Sequence, residues 1–257
     1  RMIFINTRPA SRADDLTKAL NDARYQVESL PLLELVAQPF SNELQQLYQQ
    51  LSETQIIVVV SPTAVEIGIR YLQRAGLPLQ QLKHIQWIAV GNATAQALAK
   101  FNIESHVPEV ESSEGMLELP ILQQQDHLKK IAFWRGLGGR QFMMQQLQQQ
   151  GVSLLNFVLY RRQCPENSVV HFPKIIAKLK DRQSVVVLIS SEASWNYWQQ
   201  LCHSSATQVE WIYMVLGSRL AHLVQATSSA ATNNIIQLDS LSAVEIIQRM
   251  CAWQGNL

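Results

Sequence analysis

Short apolar, β-branched runs alternate along the chain with longer amphipathic stretches. Residues 2–5 precede a helix-period stretch over 13–23, residues 56–60 precede 64–75, and residues 87–90 precede 93–100. The alternation continues with 131–134 before 141–150, 185–189 before 195–202, and 211–215 before 220–226. Unbroken apolar runs of this length suit strands buried on both faces, and the 3.6-residue period between them suits covering helices. Both halves therefore read as doubly wound, parallel-sheet α/β.

Sliding the chain on itself exposes a weak repeat at a shift of about 126 to 129 residues. Val58-Val-Val-Ser61-Pro-Thr-Ala64 resembles Val187-Leu-Ile-Ser190-Ser-Glu-Ala193, and Ile85-Gln-Trp-Ile-Ala-Val-Gly91 resembles Val209-Glu-Trp-Ile-Tyr-Met-Val-Leu-Gly217. Two copies of one α/β unit are implied. A tandem reading divides the chain near residue 128. A swapped reading assigns 1–36 plus 166–257 to a first domain and 37–165 to a second, with linkers near 31–39 and 159–173. Prolines favour the swap, because Pro31, Pro39, Pro165 and Pro173 flank two extended segments, 32–37 and 159–164, that suit a two-stranded connection.

The turns after the strands are the candidate chemistry. Ser61-Pro62-Thr63 opens a helix, with Ser61 as cap, Pro62 at the first helical position, and Thr63 with Glu66 as a capping box. Such a turn is an ordinary helix start. It is also a set of free backbone N–H groups at the end of a parallel strand, which bind anions. Gly91, Asn92 and Thr94 form a second such turn, Arg135-Gly136 through Arg140 a third, and Ser190-Ser191 and Gly217-Ser218-Arg219 the matching turns of the second copy. Thr7-Arg8-Pro9 follows the first strand. If these turns face one another, they can hold a carboxylate-rich ligand without a large positive charge.

Composition narrows the choice. Charged residues are 16%, with Lys+Arg 21 against Asp+Glu 20 and a formal charge of +1, so no field favours nucleic acid or anionic lipid. The 3 cysteines lack metal-ligand spacing, and no apolar run approaches the roughly 20 residues that span a bilayer. With no leader pattern, the expectation is a cytoplasmic protein. Nucleotide fingerprints, nucleophile elbows and metal motifs are absent, and the 6 histidines, His127 among them, read as surface or satisfied core residues.

In order, Thr7-Arg-Pro9, Pro31-Leu-Leu33, Val60-Ser-Pro-Thr-Ala-Val65, Val90-Gly-Asn-Ala-Thr-Ala95, Ser112-Ser-Glu-Gly115, Arg135-Gly136 and Val158-Leu-Tyr-Arg161 resemble the uroporphyrinogen-III synthases over nearly the whole chain. The resemblance implies two flavodoxin-like domains joined by a two-stranded linker, the first combining both chain ends. It implies a cofactor-independent, metal-free lyase of haem and sirohaem biosynthesis whose small-molecule substrate is hydroxymethylbilane. Loss of the substrate hydroxyl gives an azafulvene, attack by the terminal pyrrole gives a spiro intermediate, and fragmentation with re-closure inverts that ring. Tyr160 falls on the family's linker tyrosine, a catalytic candidate that assists departure of the hydroxyl by hydrogen bonding, since a phenol is a weak acid at neutral pH. Arg8, Ser61, Thr63, Gly91, Asn92, Thr94, Arg135, Gly136, Ser190, Ser191, Gly217 and Ser218 are the substrate-binding candidates. Where many relatives have Thr-Ala after the second glycine, this chain has Arg219-Leu-Ala221. A monomer is expected, and transient contact with the preceding deaminase stays open. The alternative is a non-catalytic two-lobed module that binds a ligand or tetrapyrrole and regulates.

Overall fold

A computed structural model describes residues 2–123, 128–139, 141–179, 183–203 and 209–255. In chain order the elements are β1 (Ile3–Asn6), α1 (Asp14–Asp22), β2 (Gln26–Ser29), β3 (Glu34–Ala37), α2 (Asn42–Gln50), β4 (Ile56–Val59), α3 (Pro62–Arg74), β5 (Gln86–Ala89) and α4 (Asn92–Ala99). Then come α5 (Ser113–Leu117), α6 (Pro120–Gln123), β6 (Lys130–Gly136), α7 (Phe142–Gln149), β7 (Ser153–Gln163) and α8 (Glu166–Lys178). The chain closes with β8 (Ser184–Ile189), α9 (Glu192–His203), β9 (Glu210–Leu216), α10 (Ser218–Thr227), β10 (Ile235–Leu238) and α11 (Ala243–Gly255). No helix is long and apolar enough to cross a membrane among the described residues.

Two compact units result, Arg1–Glu34 with Gln163–Leu257, and Leu35–Arg162. The first holds a sheet in the order β10-β9-β8-β1-β2, every pair parallel. Numbered within the unit, this is the 2-1-3-4-5 order of flavodoxin-like folds. The second holds β3-β7-β6-β4-β5, in which β5, β4, β6 and β7 are parallel. Its fifth place is taken by β3, whose partners descend along β7 as it ascends: Gln163 Nε2 donates to Glu34 Oε1 at 2.6 Å, and the Gln38 N–H donates to the Leu159 carbonyl at 2.8 Å. The two extended segments thus lie side by side and antiparallel.

Both sheets are sealed on both faces because successive side chains point to opposite sides. Ile57, Val59, Trp134 and Phe157 enter one core of the second unit, and Ile56, Val58, Ile131 and Phe133 the other. In the first unit Ile3, Ile5, Val185 and Val187 face one core, and Phe4, Val186 and Leu188 its opposite. The structure differs from the expected linker at its far end. Pro165 caps α8 and Pro173 lies inside that helix, so the linker ends at 165 rather than 173. Pro173 sits on the solvent face, where the carbonyl its ring leaves unbonded can be hydrated, while Phe172 and Ile175 supply the buried stripe.

Burial pushes the thiol of Cys202 on α9 up from its ordinary 9.0 to about 12. Below pH 9 folded and unfolded chains hold this proton equally, and the contribution to stability is complete. As pH rises from 9 towards 12 only the unfolded thiol ionises, so the contribution is progressively lost. Denaturation midpoints measured from pH 8 to 11 should fall more steeply for the parent protein than for Cys202→Ala; parallel curves refute this.

Candidate functional site

In the second unit the carboxyl ends of four neighbouring strands bring Gly91, Ser61, Gly136 and Tyr160 into a row. Chain connections leave β4 and β6 in opposite directions, the switch point at which open α/β sheets bind ligands. Ser61 is the N-cap of α3; its Oγ accepts the Ala64 N–H at 3.1 Å, and Pro62 follows at the first position. With Ser61 as cap, the third helical residue is Ala64, so Thr63 and Glu66 do not form the expected capping box. Thr63 stands half-buried at the second position.

Tyr160 reaches this turn from 99 residues away: its hydroxyl and Ser61 Oγ are 2.8 Å apart. Two backbone features place it. Arg135 pairs with Val158 but Gly136 with Tyr160, so β7 carries an extra residue and Leu159 and Tyr160 are both buried in succession. Gly136 then leaves room for the ring, since a Cβ there would lie 2.4 Å from it. The Leu137 N–H donates to the Tyr160 carbonyl at 2.7 Å, and the Arg162 guanidinium lies over the ring at 5.8 Å.

Arg135 is buried rather than offered to a ligand. Its guanidinium donates to the Gly138 carbonyl and, at 3.4 Å, to Asn156 Oδ1. Burial lowers its pKa, and the neighbouring Tyr160 phenol acts in the opposite direction. It braces the turn in which Gly138 adopts φ +81 and Gly139 φ +80. Arg140 and His127 lie outside the described residues.

At the α4 start, Gly91 is the cap and makes no side-chain cap bond; Thr94 is buried one turn on. The Asn92 N–H donates to Glu111 Oε1 at 3.0 Å, and a Cβ at Gly91 would be 2.5 Å from the same carboxylate. The expected anion position is therefore filled by a carboxylate of the chain itself. Glu111 lies 19 residues from Asn92, a spacing with no motif to reveal it.

In the first unit Asn6, fully buried at the end of β1, donates to the Ala13 carbonyl at 3.0 Å and to Thr17 Oγ1 at 2.9 Å. Its Oδ1 accepts the N–H of half-buried Arg8, and the Thr7 hydroxyl donates to the Leu188 carbonyl, tying the β1 and β8 ends together. Ser191 Oγ accepts the Ser194 N–H at 3.1 Å. Ser190, Ser191 and Gly217 share a cavity of about 510 Å³ with Glu192, Arg219 and a leucine wall. Ser218 is exposed at the first position of α10. Arg8 does not line that cavity. Among the described residues no group of three or more His, Cys, Asp or Glu is placed to hold a metal.

The family model described as Uroporphyrinogen-III synthase HemD matches residues 14–235. A Uroporphyrinogen-III synthase of Proteus mirabilis is 29% identical over 168 residues, 63% of this chain and 80% of that protein. One from Salmonella typhimurium is 29% identical over 164 residues, 63% of this chain and 65% of its own. Among solved structures, a mutant uroporphyrinogen III synthase from Thermus thermophilus aligns with TM-score 0.64 at 12% identity, covering 100% of this chain and 99% of its own. A uroporphyrinogen-III synthetase from Helicobacter pylori aligns with TM-score 0.56 at 12% identity, covering 98% of each chain. At these identities the structures speak to fold.

Proposed function

The chain belongs to the uroporphyrinogen-III synthase family, and from that premise we propose how its own residues serve the reaction. It is a cyclising lyase of tetrapyrrole biosynthesis that converts hydroxymethylbilane into uroporphyrinogen III. The C–O bond of the hydroxymethyl group breaks and water leaves, giving the azafulvene. The terminal pyrrole attacks through its substituted carbon, and the resulting spiro species fragments and re-closes with that ring inverted.

The observation that carries the assignment of roles is the Ser61–Tyr160 hydrogen bond at the switch point of the second sheet. With the Ser61 hydroxyl donating to the phenol oxygen, the single proton of Tyr160 is left to donate to the departing hydroxyl oxygen. Helix starts available in each unit, at Ser61 and Thr63 and at Ser190, Ser191, Gly217 and Ser218, suit the substrate's carboxylates at a net charge of +1. Holding the bilane in one conformer supplies orientation, which is worth several kcal/mol and selects the inverted closure over the direct one. On this reading the protein works in the cytoplasm as a monomer, and the preceding deaminase hands over its labile product in a transient contact.

Freshly generated hydroxymethylbilane, incubated with the protein, should yield mainly isomer III after oxidation and chromatographic separation. Isomer I alone, at the spontaneous rate, overturns the assignment.

A further inference from the structure

Resting on the functional reading above, we propose that Arg219 binds a carboxylate of the substrate in the cavity at the carboxyl ends of β8 and β9, and that this pocket seats one carboxylate-bearing pyrrole ring. The cavity, about 510 Å³, has a wall of Leu216, Leu220 and Leu223 that suits the face of a flat apolar ring, and a polar rim in which Arg219 is the cation. Arg219 has no hydrogen-bond or ion-pair partner among the described residues. The α10 start beside it carries no side-chain cap, because its cap position is Gly217 at φ +81.

The internal repeat supplies the contrast. At the equivalent Gly91 turn of the other unit, the chain's own Glu111 carboxylate sits on the Asn92 N–H. That contact puts a carboxylate on a glycine-capped helix start within this molecule, there with Gly91 extended at φ -158. At Gly217 no carboxylate of the described chain fills the place, and an arginine has been added. One copy is thus self-occupied and the other open, so the open copy is where a substrate carboxylate binds without displacing an internal one. Glu192 shares the cavity and opposes it, which limits the pocket to a single carboxylate beside Arg219.

Steady-state kinetics with hydroxymethylbilane at low ionic strength test this. Arg219→Ala should raise KM about fivefold to tenfold, the size of a charge-assisted hydrogen bond in a partly open pocket, with kcat changing less than twofold. Arg219→Lys should recover part of the loss, and added salt should narrow the gap between parent and variant. Glu192→Gln should lower KM about twofold, an opposite sign that a structural role for either residue does not produce. An Arg219→Ala protein with the parent's KM overturns the proposal while leaving the functional reading intact, as does one whose melting temperature falls with its activity. Isomer I alone from the parent protein overturns both.

Discussion

Tyr160→Phe is expected to lower turnover about tenfold to a hundredfold while costing the fold about 1 kcal/mol or less. The asymmetry follows from what the hydroxyl touches. Its partner, Ser61 Oγ, keeps the Ala64 N–H when the phenol oxygen is removed, so no capping bond is lost and the helix start survives. The ring itself is held by packing over Gly136 and by the extra residue in β7, and phenylalanine fills the same space. What disappears is the one hydroxyl that the β7 irregularity aims at the switch point. Single-turnover measurements separate this from a change in product release; an unaltered single-turnover rate removes Tyr160 from the catalytic role.

The largest effect on stability is expected at a glycine far from any ligand. Gly68 lies inside α3, where alanine normally gains up to about 1 kcal/mol in helix propensity. Here a Cβ would stand 2.2, 2.5 and 2.7 Å from three ring atoms of Trp134. Trp134 is fully buried, edge-on to Trp87 at 5.3 Å and to Phe157 at 6.5 Å, and cannot retreat. The Gly68 carbonyl is also fixed, accepting the Tyr48 hydroxyl at 2.7 Å. Overpacking therefore outweighs propensity, and Gly68→Ala should destabilise the second unit by about 2–4 kcal/mol, read as a lowered denaturation midpoint at unchanged m-value. A midpoint at or above the parent's would mean that the core yields more than its aromatic packing allows.

The strands that were legible in the sequence are those sealed on both faces, such as 56–60 and 185–189, where burial demands unbroken β-branched runs. The edge strand Gln26–Ser29 was not, because its residues are half or fully exposed and carry no apolar pattern. Pro173 misled for a related reason: a proline stops a helix only where its missing hydrogen bond cannot be replaced, and on a wet face water replaces it. The candidate turns were legible as turns, since serine, proline and glycine have local conformational reasons to be there. Their contents were not. The Glu111 carboxylate on Asn92, the burial of Arg135 and the bond from Tyr160 to Ser61 join residues 19 to 99 positions apart or depend on a one-residue irregularity, and none leaves a periodic trace.

The placement of β1 also sets a schedule for synthesis. This strand, Ile-Phe-Ile-Asn, lies inside its sheet between β2 and β8, and Thr7 just beyond it bonds to a carbonyl 181 positions later. At about 5–20 residues per second a ribosome takes roughly 10–40 s to deliver that partner. Every strand of the second unit is complete before then. During that interval β1 can pair with β2 on one side only, while the middle unit has all its strands, and the other edge of β1 is covered when β8 arrives.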